Sequence, residues 1–168
     1  MENEKTPLYV AFSTQKGGVG KTTFTVLAAS YLYYLKGYDV VVVDCDYPQH
    51  SIAGMRKRDA EMVGEDEDYK RMAYEQFTRL GKKAYPVLCS SPEKAIATAD
   101  EYITAAANVP DIVFFDLPGT VNSEGVINSL SGMDYIFTPI AADKVVLESS
   151  LSFAVAINKL LVRSEACR

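Results

Sequence analysis

The sequence predicts an α/β fold in which a mostly parallel central sheet is flanked by helices, giving three layers. Short apolar segments suited to buried strands alternate with longer segments that carry apolar residues at helical spacing, from one end of the chain to the other. Segment 40–43 is a continuous run of valines, as expected for a strand that is covered on both faces. Parallel strands joined by helices are connected by right-handed crossovers. The length of 168 residues fits one domain and no segment resembles a linker, so we expect one domain over residues 1–168.

The individual elements are read from periodicity and from the residues that start and stop them. Strands are predicted at 8–13, 40–43, 84–89, 112–115 and 135–139. Helices are predicted at 22–36, from 91 to about 107, and at 145–162. Gly37 stands where a helix C-cap belongs, and Ser91-Pro92-Glu93 has the composition of an N-cap followed by an acidic first turn.

Segment 54–83 departs from this alternation because it is rich in charge and contains no strand pattern. We interpret it as helices separated by an acidic turn at 65–68 and lying largely on the surface. Two interpretations stay open for it: a solvated helical crossover, which is the simpler one, and a face that binds a partner.

The composition argues against several classes of protein. Apolar residues make up 48% of the 168 residues, which is enough for a folded core. The net charge of −5 and the pI near 4.9 argue against a surface-wide attraction to nucleic acid or anionic lipid. No apolar run approaches the roughly 20 residues of a membrane span, and the polar N-terminus does not resemble a signal peptide. We therefore expect a soluble, cytoplasmic protein.

The cysteines do not form a metal-binding pattern. Cys45, Cys89 and Cys167 are far apart in the chain, and the single histidine, His50, has no zinc-site spacing to any of them. Free thiols in a reducing compartment are the expected state.

A glycine-rich segment between the first strand and the first helix carries the clearest chemical signal. It reads Gln15-Lys16-Gly17-Gly18-Val19-Gly20-Lys21-Thr22-Thr23. Glycines allow a tight turn whose N–H groups approach phosphate oxygens, and the N-terminus of the following helix adds partial positive charge. Lys21 is predicted to contact the β- and γ-phosphates, and the Thr22 hydroxyl to ligate Mg²⁺. The common form of this P-loop has a glycine where this chain has Gln15.

Carboxylates follow two of the predicted strands. Asp44 and Asp46 end the valine run, and Asp116 ends the apolar strand 112–115. Ligands of open parallel sheets lie beyond the carboxyl ends of the strands, so these side chains are expected near the phosphate loop. Asp116 has the position of a Mg²⁺-binding carboxylate that acts through water.

The segment from Lys16 to Thr23 resembles the deviant Walker A motif of the ParA/MinD/Soj family of ATPases. The resemblance implies a P-loop NTPase fold with ATP and Mg²⁺ as cofactors. In that family the extra lysine, here Lys16, reaches across a dimer to the partner's ATP, so an ATP-dependent homodimer is implied. Segment 8–23 is similar more narrowly to the ParA-type proteins of conjugative transposons.

The same resemblance implies roles for the carboxylates and for the segment that follows Asp116. Asp46 is implied to position the attacking water, and Asp44 to support it or the Mg²⁺ shell. Leu117-Pro118-Gly119 resembles a switch segment in which the Gly119 N–H senses the γ-phosphate. The family pattern Asp-x-Asp-Pro-Gln is interrupted here by one extra residue, Tyr47, before Pro48-Gln49.

Family members usually continue beyond the last helix predicted here with a strand that contributes to adenine recognition and with basic residues that bind DNA non-specifically. By that comparison the domain is short at its C-terminal end, and DNA binding is left open but disfavoured by the acidic pI. The resemblance also implies an activating partner protein.

Two functions are compatible with these observations. The first is a slowly hydrolysing ATPase that acts as a nucleotide-gated dimer switch in partition or conjugative transfer of a mobile DNA element. The second is a nucleotide-binding regulatory or scaffold module with negligible hydrolysis. An iron–sulfur relative is disfavoured because no cysteine lies between Asp116 and Leu161, and a small-molecule kinase would lack the Lys16 signature.

Overall fold

The structure, a computed structural model, describes residues 5–15, 17–119, 123–140, 142 and 144–165. Five parallel strands form one sheet in the order β3-β2-β4-β1-β5. They are β1 (Leu8–Phe12), β2 (Val40–Asp44), β3 (Val87–Cys89), β4 (Ile112–Asp116) and β5 (Tyr135–Phe137). Helices pack on both faces, so the predicted three-layer α/β fold with a parallel sheet is confirmed.

The helices in the described residues are α1 (Lys21–Ser30), α2 (Ser51–Glu65), α3 (Glu67–Leu80), α4 (Ala95–Ala105), α5 (Glu124–Ser131) and α6 (Lys144–Glu165). A π-helical turn, Tyr31–Leu35, continues α1, and a 3₁₀ turn, Pro92–Lys94, precedes α4. None of the described helices is both long and apolar enough to cross a membrane.

Alternation of side chains along β2 and β4 builds two cores, one on each face of the sheet. Val41, Val43 and Phe115 face the layer formed by α4, α5 and α6. Val40, Val42 and Phe114 face the layer formed by α1 and α2. The valine run is therefore buried on both faces, as its composition predicts.

The structure corrects several predicted boundaries. Strands β3 and β5 are shorter than predicted, because Val87–Cys89 pairs only with the end of β2 and Tyr135–Phe137 only with the end of β1. The side chain of Ser91 makes no capping hydrogen bond, and the helix opens with a 3₁₀ turn instead. Helix α5 was not predicted; Ser123 caps it by accepting a hydrogen bond from the Val126 N–H. Gly37 has a φ of +82° just after the π-helical turn, as expected for a C-capping glycine.

Segment 54–83 forms the predicted pair of helices with an acidic turn between them. Asp66 separates α2 from α3 and caps α3, because its Oδ1 accepts hydrogen bonds from the N–H groups of Asp68 (2.8 Å) and Tyr69 (3.2 Å). No residue of α3 is buried. The hairpin of α2 and α3 thus projects from the sheet, and its outer helix is held mainly through α2.

On the α1 face, the edge formed by β1 and β5 is incompletely covered. A groove of about 440 Å³ lies there, lined entirely by apolar and aromatic side chains. Tyr135 and Phe137 of β5 line it and are about half exposed. This exposure distinguishes β5 from the fully covered central strands.

Candidate functional site

The strand order brings the sequence-predicted site residues to one edge of the sheet. β4 lies between β1 and β2, so Asp116 ends its strand next to the glycine-rich loop that follows β1 and next to Asp44 of β2. Asp44 and Asp116 are register partners. The site therefore lies at the carboxyl ends of three adjacent parallel strands, where ligands of such sheets bind.

The glycine-rich loop has the backbone conformation that its sequence predicts. Gly18 and Gly20 have φ values of +76° and +87°, in the left-handed region that favours glycine. A Cβ added at Gly17 or Gly18 would meet open space, so these two positions leave room for a ligand beside the backbone. Lys16 lies outside the described residues.

The glycine-rich loop leads directly into the N-terminus of α1. Gly20 occupies the N-cap position, and its carbonyl accepts the first helical hydrogen bond from the Phe24 N–H at 2.8 Å. Glycine offers no capping side chain, and the first turn of α1 contains no acidic residue. The partial positive charge of this helix end is thus not compensated from within the helix, which suits an anionic ligand.

Lys21 and Thr22 open α1 and lie beside the strand-end carboxylates. Burial lowers the pKa of Lys21, while the charges of Asp116 and Asp46 raise it. The Lys21 ammonium is thus half-buried and close enough to both carboxylates to interact with their charges. Thr23, next in the helix, is exposed, and Val19 is half-buried in the loop.

Asp116 has an unusual environment for a carboxylate. It is 1% exposed, and neither of its oxygens has a hydrogen-bond partner among the described residues. Burial raises the pKa of Asp116 to about 6, and the charges of Asp44 and Asp46 add to the rise. The nearby Thr22 hydroxyl and the Lys21 ammonium lower the pKa of Asp116. The Thr22 hydroxyl nevertheless does not make a hydrogen bond of standard geometry to Asp116.

A buried carboxylate without a partner is costly unless a cation or a donor completes it. The hydroxyl of Thr22 and the carboxylate of Asp116 are oxygen ligands of the kind that Mg²⁺ takes, and this ion usually keeps several waters and needs few protein ligands. No group of three or more His, Cys, Asp or Glu side chains in the described part of the chain has a metal-binding arrangement. The residues present fit a Mg²⁺ ion held largely by water and phosphate.

Asp44, which the resemblance implies supports the positioning of water or the Mg²⁺ shell, contacts the start of α2. Its side chain is fully buried and points to the start of α2, where Oδ2 accepts hydrogen bonds from the N–H groups of Ile52 (2.9 Å) and Ala53 (3.0 Å). Its other oxygen accepts from the Asp46 N–H at 3.3 Å. In this arrangement Asp44 is a structural partner of α2.

Asp46 lies at the edge of the site and is half-buried. Its Oδ2 accepts a hydrogen bond from the Ser51 hydroxyl at 3.1 Å, in the first residue of α2. The extra residue Tyr47 is in the exposed turn that follows. Ser51 was not singled out from the sequence, where a serine at a helix start is an ordinary feature.

The segment after β4 is only partly described. Leu117 is buried in the core, and Gly119 follows it in a half-buried bend. Ser13 and Thr14, which begin the glycine-rich loop, are fully buried, and their hydroxyls have no hydrogen-bond partner among the described residues. These two hydroxyls, also missed from the sequence, lie at the base of the loop.

Residues 10–160 match the family model described as the CobQ/CobB/MinD/ParA nucleotide binding domain. The chain belongs to this family. The matched range contains the glycine-rich loop, Asp44, Asp46, Asp116 and Gly119, so the site described above is part of the nucleotide-binding domain of the family.

Solved structures share the fold. A plasmid partition protein from Borrelia burgdorferi aligns with 94% of this chain and 75% of its own, at 20% identity and a TM-score of 0.65. A putative plasmid partition protein from the same organism, bound to AMPPNP, aligns at 20% identity and a TM-score of 0.62 over 93% of this chain and 72% of its own. A protein from Corynebacterium diphtheriae gives 19% identity and a TM-score of 0.52, over 95% of this chain and 71% of its own. No curated protein matches the sequence.

Proposed function

We propose that this domain binds ATP with Mg²⁺ and hydrolyses it slowly. The observation that carries the proposal is the position of Asp116 beside Thr22 in the first turn of α1, since this buried carboxylate has no hydrogen-bond partner in the part of the chain that the structure describes. A left-handed glycine loop precedes that turn. One solved structure of the same fold carries AMPPNP, which supports ATP as the nucleotide here.

Each residue of the site has a role that its position supports. Lys21 contributes a half-buried ammonium to the β- and γ-phosphates, with Gly17, Gly18, Val19, Gly20 and Thr23 supplying backbone and helix-end contacts. Thr22 and Asp116 hold Mg²⁺, which when bound neutralises phosphate charge. Asp46 orients the attacking water with the carboxylate oxygen that Ser51 does not occupy, and Gly119 senses the γ-phosphate. Positioning and electrostatic stabilisation supply the catalysis.

The gating function rests on Lys16. By resemblance to the family, Lys16 reaches the ATP of a second copy, so that ATP assembles a homodimer and hydrolysis releases it. A partner protein that improves the geometry around Asp46 would set the rate of release. Such a switch suits partition or conjugative transfer of a mobile DNA element, and the plasmid partition proteins that share the fold support that setting.

A second candidate is a nucleotide-binding module with negligible hydrolysis. The hydrogen bond from the Ser51 hydroxyl to Asp46 favours it, because this bond occupies one of the two oxygens that would accept a proton from or orient water. If the wild type binds ATP but its turnover equals that of an Asp46→Ala variant, this second function is correct.

Nucleotide binding is tested by calorimetry with ATP and Mg²⁺. Replacement of Lys21 by alanine should weaken binding about 100-fold or more, because a half-buried charge next to the phosphates is lost. Lys57→Ala is the matched control: this exposed lysine on α2 pairs with Glu61, and the variant should bind ATP as the wild type does. A wild type that shows no heat of binding with ATP or GTP would refute the proposal.

The switch is tested by measuring molecular size with and without ATP and Mg²⁺. The wild type should shift from monomer to dimer, and Lys16→Ala should stay monomeric while still binding ATP. An unchanged size in all four samples would remove the switch and leave nucleotide binding intact.

A further inference from the structure

Helix α2 begins without a capping side chain of its own. The residue in its N-cap position is His50, which has a φ of +44° and makes no side-chain capping hydrogen bond to α2. The first N–H groups of a helix need partners, and buried ones are costly to leave unpaired. Here the partner comes from the end of β2, because Asp44 accepts from the N–H groups of Ile52 and Ala53, eight and nine residues further along the chain.

Asp44 also holds the loop that joins β2 to α2. Its Oδ1 accepts from the Asp46 N–H, and its backbone carbonyl oxygen lies 3.1 Å from His50 Nδ1. Both carboxylate oxygens of Asp44 therefore have donors, and the side chain is fully buried. Contact of Oδ2 with phosphate or Mg²⁺ would therefore compete with its hydrogen bonds to the start of α2.

The position of Asp46 depends on the same contacts. Its backbone N–H is bound by Asp44, its carbonyl oxygen accepts from the His50 N–H at 2.8 Å, and its Oδ2 accepts from the Ser51 hydroxyl. Ser51 is the first residue of α2, and Asp44 holds this end of the helix through its hydrogen bonds. A shift of that helix end would therefore carry the Asp46 carboxylate with it.

We propose that Asp44 is a positioning residue: it caps α2 from β2 and thereby fixes the carboxylate of Asp46, without contacting nucleotide or metal. This inference rests on the proposed function, in which Asp46 orients water. Asp44 also connects the site to the projecting hairpin of α2 and α3, because the start of α2, which positions Asp46, is the base of that hairpin.

Two substitutions at Asp44 separate positioning from metal binding. Asp44→Asn keeps an oxygen that can accept from the N–H groups of Ile52 and Ala53, and asparagine caps helices about as well as aspartate. Asp44→Ala removes both carboxylate acceptors and keeps the backbone carbonyl. We expect Asp44→Ala to lower kcat about 10- to 100-fold, with the affinity for ATP and the Mg²⁺ concentration at half-maximal activity both within about twofold of wild type. Asp44→Asn should retain most of the wild-type kcat.

Hydrogen exchange supplies a readout that does not depend on activity. Without nucleotide, the amides of Ile52 and Ala53 should exchange faster in Asp44→Ala than in the wild type, and at nearly the wild-type rate in Asp44→Asn. Ser51→Ala should lower kcat on its own, but should have a much smaller effect in the Asp44→Ala background, because both act by holding Asp46. If Asp44→Ala fails to fold, Asp44→Asn and Ser51→Ala carry the test.

The outcomes distinguish this inference from the proposed function. A wild type that does not bind ATP refutes the proposed function itself. If the wild type binds and hydrolyses ATP, a tenfold or larger rise in the Mg²⁺ requirement of Asp44→Asn identifies Asp44 as a metal-shell residue and overturns the inference. A wild-type kcat in Asp44→Ala, or a wild type that binds ATP without hydrolysing it, also overturns it.

Discussion

Asp44 and Asp116 are register partners at the ends of adjacent parallel strands, but only Asp44 has hydrogen-bond donors on both carboxylate oxygens. The donors of Asp44 come from α2 and from the loop before it. Asp116 faces the first turn of α1, and no group in the described ranges makes a hydrogen bond to it. The two aspartates hold equivalent strand positions, but the helix that each one meets gives it a different environment.

The environment of Asp116 predicts a pH dependence of stability in the protein without nucleotide or Mg²⁺. Its folded-state pKa of about 6 is above the usual 3.8, so the folded state binds this proton more tightly than the unfolded state does. The resulting stabilisation is complete below about pH 3.8 and is lost as the pH rises through about 6. The full difference is about 3 kcal/mol for a shift of this size.

Asp116→Asn should remove this dependence because an amide does not titrate. The difference in unfolding free energy between the variant and the wild type should move in favour of the variant as the pH rises from about 4 to about 8. Denaturant unfolding at each pH, without nucleotide and with a chelator, measures it. A difference that stays constant with pH would show that Asp116 is not the titrating group.

Replacement of glycine by alanine should have opposite effects at Gly20, at the end of the glycine-rich loop, and at Gly64, within α2. Gly20→Ala forces a side chain into a φ of +87° and should destabilise the protein by about 1–2 kcal/mol. Gly64→Ala, near the end of α2, places a methyl group in open space on a helix and should stabilise by about 0.4–1 kcal/mol. Thermal unfolding of both variants measures the contrast.

Nucleotide affinity should fall in Gly20→Ala and should be unchanged in Gly64→Ala, which serves as the matched control. Equal stability of the two variants would argue against a left-handed conformation at Gly20.

The cysteines should differ in reactivity. Cys45 is fully buried, and burial, followed by the charges of Asp44 and Asp116, raises the pKa of its thiol. Cys89 is exposed at the end of β3, and its partial burial, followed by the charge of Asp44, raises the pKa of its thiol as well. In a Cys167→Ser background, a disulfide reagent should modify one thiol in the folded protein and a second only after denaturation. Modification of both at similar rates under native conditions would contradict the burial of Cys45.

Local features of the sequence predicted a large part of the fold. Apolar runs identified the core of each strand that the structure describes, and the acidic turn predicted at 65–68 separates α2 from α3 at Asp66. Helix α5 was not predicted because a helix of eight residues gives little periodicity, and it comes shortly after the segment that resembles a switch. Strand ends were less accurate, because a strand stops where its neighbour stops, as for β3 against β2.

Within the site, Gly18, Gly20, Lys21, Thr22 and Asp116 lie together as expected, since each belongs to a local motif with its own geometric requirement. The role of Asp44 could not be read in this way. Whether a carboxylate at a strand end meets a ligand or a helix depends on where the next helix begins, and the signal available was only the weak N-cap at His50.

The glycine-rich bend, the strands ending in carboxylates and the alternation of elements follow from the sequence alone, because backbone freedom and side-chain burial are local properties. The order β3-β2-β4-β1-β5, which seats Asp116 between the loop and Asp44, is a property of the folded chain. The burial that raises the pKa of Asp116 is also a property of the folded chain, and so are the hydrogen bonds that join Asp44 to α2. These depend on contacts between residues far apart in the chain, which packing of the whole domain decides.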